Sequence, residues 1–167
     1  AILDKYNTLE KISHVHTPGN SSGIVDGASA VLIGSEKAGR DLNLTPRARI
    51  LAGSILASDP VIMLAGPGPA AKKCLKTAGL TPDDVDLWEI NEAFASVALR
   101  YMKDFEIAHS LPIVTGVSIS MGHPIAATGA LLDSTMLDEL ERRDLSAGML
   151  APRGRCGVGL SCMIVLW

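Results

Sequence analysis

A chain of 167 residues that is 47% hydrophobic and 20% charged is long enough for one well-buried core and has the balance of a globular α/β protein. Its net charge of −3, with no basic run, gives no footprint for nucleic acid or for an anionic membrane surface, and no apolar run approaches the roughly 20 residues that span a bilayer. Only 4% of residues are aromatic, so the core must be built from Ala, Val, Leu and Ile. Three cysteines, Cys74, Cys156 and Cys162, form no CxxC pair, which argues against both a disulfide framework and a zinc knuckle. The N-terminal residues lack the charged-then-apolar order of a signal peptide, and the chain reads as intracellular. It begins at Ala1 within a helix-like segment, as a fragment or processed product would.

Residues 17–27 are dense in Gly, Ser, Asn and Asp and predict a polar loop suited to a ligand. The apolar run 28–34 predicts a buried strand, after which Ser35 caps a short helix reaching Asp41. A linker over 42–47 leads to a strand over 48–57. Residues 67–78 place Ala70, Ala71, Cys74, Leu75 and Ala78 on one helical face, with Pro69 in the first turn and Gly79 past the end. Alternation over 85–90 predicts a strand, and Phe94, Val97, Ala98 and Tyr101 then fall at helical spacing. A further strand is expected over 113–121, then a helix from about Pro124 to Arg143 whose inner face holds Ile125, Leu132, Met136 and Leu140. Strands over about 147–152 and 161–167 flank a turn at Cys156.

Three strings carry the chemistry: Asn91-Glu92-Ala93-Phe94, Gly122-His123-Pro124, and Cys156 followed by Gly157 and Gly159. Asn91 sits at a strand-to-helix junction, where side chains are aimed over the carboxyl edge of a sheet, and it is equally placed to be a helix N-cap. His123 precedes a proline that excludes it from the α region, so its ring stands at a rigid helix entrance. An amide, an imidazole and a thiol near strand ends form a catalytic inventory. His14 and His16 have an HxH spacing but no third ligand, and read as loop residues; no metal site is expected.

In this order and at these intervals, the strings resemble the second half of the thiolases, enzymes that cleave or form 3-oxoacyl-CoA thioesters. Residues 17–30, 45–49, 58–60 and 137–143 extend the resemblance to nearly the whole chain. It implies a layered αβαβα fold with a mixed five-stranded sheet between helices. Residues 1–44 would be the end of the loop domain and the last strand and helix of the N-terminal domain, and 45–167 the C-terminal domain. It also implies catalytic roles for His123, which activates an acyl-accepting cysteine and donates to the thioester oxyanion, for Cys156, the acid/base thiol of the α-carbon, and for Asn91, whose amide holds an oxyanion-donating water. Ser22, Phe94, Met63 and Val158 would bind substrate, Ser22 at the pantetheine arm and Val158 through its backbone N–H.

No metal or prosthetic group is implied, coenzyme A being substrate and product. The expected partners are acyl-CoA, CoA, the missing N-terminal half of the same polypeptide and further copies in a homodimer or tetramer. A bacterial cytoplasmic, fatty-acid-degrading enzyme is favoured, with the mitochondrial matrix or peroxisome as alternatives.

The chain departs from the family pattern at Val158 within the glycine run, at Thr115-Gly116-Val117 and at Ala126. Nothing in it matches the acyl-carrying cysteine of the first half, so the chain alone is expected to be inactive. The rival reading is a non-catalytic thiolase-like protein that binds CoA or lipid or serves assembly. A ketoacyl synthase would ordinarily pair its cysteine with two histidines.

Overall fold

A computed structural model describes residues 2–107, 116–152 and 158–166. The chain runs through α1 (Ile2–Lys5), α2 (Glu36–Asp41), β1 (Ala48–Ala57), α3 (Pro67–Ala78), β2 (Leu87–Ile90), α4 (Ala95–Phe105), α5 (Ser118–Met121), α6 (Thr128–Arg143), β3 (Ala147–Ala151) and β4 (Val158–Leu166). Among the described residues the sheet is mixed and four-stranded, in the order β1-β4-β3-β2, against the five strands expected. β2 and β3 are parallel, while β4 runs antiparallel to both of its neighbours.

Helices cover both faces, and the strand sequences show why. Along β2 and β3, Trp88, Ile90, Met149 and Ala151 point to a core shared with Ala71, Cys74 and Leu75 of α3 and Val97 and Tyr101 of α4. The alternate residues Leu87 and Leu150 point the other way, against Leu132, Met136 and Leu140 of α6. A strand covered on both sides has no polar face to keep, and every residue of β3 is buried. The α3 bounds coincide with the punctuation: Pro67 stands at the first position, and Gly79, at φ 72°, closes the helix by donating its N–H to the Leu75 and Lys76 carbonyls.

One contact depends on the absence of a side chain. A Cβ on Gly159 in β4 would lie 2.1 Å from the Gly66 carbonyl oxygen and 2.2 Å from its carbon. The start of α3 therefore rests directly on the β4 backbone, three residues after Cys156. At the far end of the sheet, Arg47 bonds to Asp138 at 2.7 Å and to Glu141 at 2.8 and 2.9 Å, fastening the entry to β1 onto the last turns of α6.

Five expectations are corrected. Residues 28–34 form no strand: they pair with no described strand, and Leu32 is 84% exposed. Apolar composition alone does not make a strand without a partner edge. Residues 118–121 are helical, not extended, because the Glu92 carboxylate accepts the Val117 and Ser118 N–H groups and nucleates a turn there. The long helix begins at Thr128, since 125–127 form a turn closed by Ala127 N–H on the Pro124 carbonyl. Ile125, in that turn, is exposed rather than on the inner face. The last strand starts earlier than expected, at Val158.

Candidate active site

Asn91 follows the last residue of β2, and its backbone N–H donates to the Ala151 carbonyl at 3.3 Å, at the end of the parallel neighbour β3. The connection that carries Cys156 departs from that same edge of the sheet. Cys156 itself lies outside the described residues.

Asn91 is not an N-cap; Phe94 holds that place for α4. Its amide is engaged elsewhere. The Oδ1 accepts a short hydrogen bond from the Ser118 hydroxyl, so Nδ2 faces His123 Nε2 at 3.4 Å. Asn91 is 1% exposed and Ser118 is fully buried, so both depend on these internal partners. Ser118 is held in turn by Glu92, whose Oε2 accepts its N–H at 2.8 Å and that of Val117 at 3.1 Å. A buried carboxylate with two backbone donors is a well-satisfied anchor.

His123 stands on a corner built by Gly122, whose φ of 101° requires glycine. A Cβ there would also fall 2.6 Å from Val25 Cγ2. The residue 17–27 loop thus packs directly on the corner, and the His123 N–H donates to the Gly23 carbonyl at 2.8 Å. On the far side of the ring, Nδ1 lies 2.7 Å from Thr128 Oγ1.

The same loop is stitched to the asparagine string. Ser22 donates both its N–H and its hydroxyl to the Ala93 carbonyl, each at 3.0 Å, and Ser21 pairs with Phe94 as an isolated bridge. Phe94 packs on the core edge and meets His16 edge-on, with ring centroids 5.1 Å apart. His16 Nε2 also reaches Ser96 Oγ at 2.8 Å, so it is a docked loop residue. No group of three metal-ligating side chains occurs among the described residues.

Of the residues singled out in the sequence, Asn91, His123, Ser22 and Phe94 gather along this edge. Met63, at a φ of 56°, lies in the 58–66 connection ahead of α3. Val158 opens β4 opposite Ala57. Cys74 is buried in α3 with its thiol toward the Ala52 carbonyl at 3.4 Å, which suits packing. Sequence reasoning missed Ser118 and Thr128 and gave Glu92 no role. For Thr128 a signal existed: a hydroxyl residue five positions after His123 and four after Pro124 returns to the ring after one helical turn.

Residues 44–166 match the family model described as the thiolase C-terminal domain. The chain belongs to the thiolase family. It is 44% identical over 136 residues to a 3-ketoacyl-CoA thiolase of Cronobacter sakazakii, covering 80% of this chain and 35% of the relative. It is 50% identical over 126 residues to a steroid 3-ketoacyl-CoA thiolase of Mycobacterium tuberculosis, covering 75% and 31%. The chain therefore spans about a third of the length of these curated relatives.

Among solved thiolases, human mitochondrial 3-ketoacyl-CoA thiolase in complex with CoA superposes with a TM-score of 0.88 at 36% identity, over 99% of this chain and 43% of that one. Bacillus anthracis acetyl-CoA acetyltransferase gives 0.85 at 36% identity, over 90% and 38%. The α/β thiolase fold expected from the motifs is therefore the fold of this chain.

Proposed function

We propose that this chain is the C-terminal part of a thiolase that interchanges acyl-CoA plus acetyl-CoA with 3-oxoacyl-CoA plus CoA, in the direction of fatty-acid degradation. The observation that carries the reading is the Asn91–His123 pair at the carboxyl edge of the sheet, each side chain fixed by a buried partner. The family match beginning at residue 44 supports a boundary at 44/45, with residues 1–44 closing the preceding domain and its loop region.

In the thiolytic direction, the acyl-carrying cysteine of the upstream half gives its proton to His123 Nε2, and its sulfur adds to the 3-oxo carbon. The bond between the α- and β-carbons breaks, and its electron pair passes to the α-carbon as an enolate of the acetyl thioester. Protonated His123 and a water held by Asn91 donate to the enolate oxygen. Cys156 protonates the α-carbon, releasing acetyl-CoA. Cys156, now a thiolate, takes the thiol proton of incoming CoA, whose sulfur displaces the enzyme cysteine from the acyl group. A thiol serves as this acid and base only where its pKa is drawn down from about 8.5. The Val158 N–H is assigned to the acyl oxyanion, and Ser22, Phe94 and Met63 to the walls of the CoA and acyl channel.

CoA is the carrier of both products, and no metal or prosthetic group enters the reaction. A cytoplasmic homodimer or tetramer fits the bacterial relatives, and among the described residues no helix is long and apolar enough to cross a membrane. The chain alone, lacking the acyl-carrying cysteine, does not turn over acetoacetyl-CoA.

Mass spectrometry after mixing the complete enzyme with acetyl-CoA tests the roles. Cys156→Ser is expected to become acylated but to condense about 100-fold more slowly or worse; His123→Ala is expected to fail at acylation. An unacylated Cys156→Ser protein beside a readily acylated His123→Ala protein would reverse the assignment. CoA binding with no acylation in the wild type would favour the non-catalytic reading.

A further inference from the structure

We infer that Thr128 is a positioning residue: it holds His123 in the Nδ1–H tautomer, leaving Nε2 as the nitrogen that takes the proton. The inference rests on His123 being the base proposed above, but its geometry can be tested without turnover.

The argument is an accounting of protons. A threonine hydroxyl has one proton to give. Thr128 Oγ1 gives it to the Pro124 carbonyl at 3.0 Å, one helical turn back. Its contact with His123 Nδ1 at 2.7 Å then requires the ring to be the donor. Thr128 is 2% exposed, so water does not readily replace either partner.

The opposite side of the ring leads independently to the same tautomer. The Ser118 hydroxyl occupies Asn91 Oδ1, which turns the Asn91 NH₂ group toward Nε2. A donor faces that nitrogen, so it carries its lone pair. Turning Asn91 over to accept from an Nε2–H would take Oδ1 away from the Ser118 hydroxyl and leave that buried proton without the acceptor it has here. The tautomer is therefore set from both ends by a chain running from Glu92 through Ser118, Asn91 and His123 to Thr128 and the Pro124 carbonyl.

The Nε2–H tautomer is the more stable in a free histidine side chain, and with it the ring would present a proton where a thiol needs an acceptor. Removing the Thr128 hydroxyl strands the Nδ1–H in a buried site and favours that unproductive form. The loss of one neutral hydrogen bond shifts such an equilibrium about tenfold.

The test uses the complete thiolase carrying this chain, labelled with ¹⁵N-histidine, with the His123 signals assigned through His123→Gln. Two-bond nitrogen–proton spectra above the titration of the ring should show Nδ1 protonated and Nε2 bare in the wild type. In Thr128→Val the Nδ1–H to Nε2–H ratio should fall about tenfold, and acylation by acetyl-CoA should slow in proportion to the Nδ1–H fraction lost, with little change in KM. Thr128→Ser should restore both. A wild-type His123 carrying its proton on Nε2 overturns the inference without any variant, and so does a folded Thr128→Val enzyme with the wild-type tautomer. If the tautomer behaves as expected while His123→Ala is acylated normally, the catalytic reading fails and the positioning geometry stands.

Discussion

Gly159→Ala isolates the contact that joins α3 to β4. The added methyl would sit 2.1 Å from the Gly66 oxygen, 2.2 Å from its carbonyl carbon and 2.8 Å from its Cα, where ordinary contact begins near 3.4 Å. Every obstacle is backbone, so no rotamer change relieves it. The start of α3 has to withdraw by more than 1 Å, or β4 has to bend. Overpacking of well-filled cores typically costs about 1–3 kcal/mol, and a clash that only main chain can relieve belongs at or above the top of that range, about 3 kcal/mol. For a domain of this size that lowers Tm by roughly 6–12 °C. Gly129→Ala supplies the contrast. Gly129 lies within α6 with open space at its Cβ position, and alanine there should stabilise the protein by about 1 kcal/mol through helix propensity. Thermal and urea unfolding followed by the fluorescence of buried Trp88 compare the two. Gly159→Ala within about 0.5 kcal/mol of the wild type, a difference ordinary for a surface site, would refute the close approach.

Three further outcomes follow from particular contacts. Glu92→Ala orphans the buried N–H groups of Val117 and Ser118 and should cost about 2–5 kcal/mol, with Glu92→Gln losing far less because one acceptor oxygen remains; equal losses by urea denaturation would contradict the anchoring role. Tyr101 is fully buried, and its hydroxyl has no hydrogen-bond partner among the described residues, so Tyr101→Phe should gain about 1 kcal/mol and a higher Tm; a loss of that size would reveal a partner. Asp59 is held down to about 2 by hydrogen bonds from Lys5, Tyr6 and the Val61 N–H. A depressed folded-state value means that its contribution is full above the ordinary carboxylate pKa near 4 and disappears as pH falls through about 2. The protection factors of the Leu9 and Met63 amides, bonded to the Tyr6 and Asp59 carbonyls, should therefore fall between about pH 4 and pH 2, and Asp59→Asn should show the low protection already at pH 7; protection that does not change with pH would break the link.

Local signals located most of the fold because they act through the chain's own neighbours. Pro67 and Gly79 fix the ends of α3 by backbone constraints that need no tertiary partner. The strand expected from alternation over 85–90 forms as β2, although neither of its faces meets solvent: all four residues, Glu89 included, are buried. Residues 28–34 were misread for the opposite reason: a strand exists only where another edge accepts its hydrogen bonds, and an apolar run cannot say where that edge is. At 118–121 a distant carboxylate, Glu92, supplies the acceptor that starts a helical turn, and it belongs to a string whose asparagine and phenylalanine alone stand out in the sequence. The site divides in the same way. Asn91 and His123 stand out because their neighbours fix their backbones, whereas Ser118 and Thr128 gain meaning only from what they face across the fold.

That division bears on how the site works. Asn91 had two competing readings in the sequence, N-cap and oxyanion donor, and one amide could not serve both. In the fold Phe94 occupies the cap position, Ser118 takes the amide oxygen, and the NH₂ group is directed to the edge of the sheet beside His123. The loop that binds Ala93 through Ser22 and the His123 backbone through Gly23 closes over these groups from the outside. Both polar side chains are thus oriented by the C-terminal domain and its overlying loop before any substrate arrives. Groups fixed in advance need not reorganise as charge develops on a thioester oxygen, and this is where preorganised donors exceed water as stabilisers. On the function proposed above, an upstream half would have to bring only its nucleophile and acyl channel to donors that are already set. Variants that loosen Ser118 or Thr128 should therefore slow the chemical step while leaving CoA affinity intact.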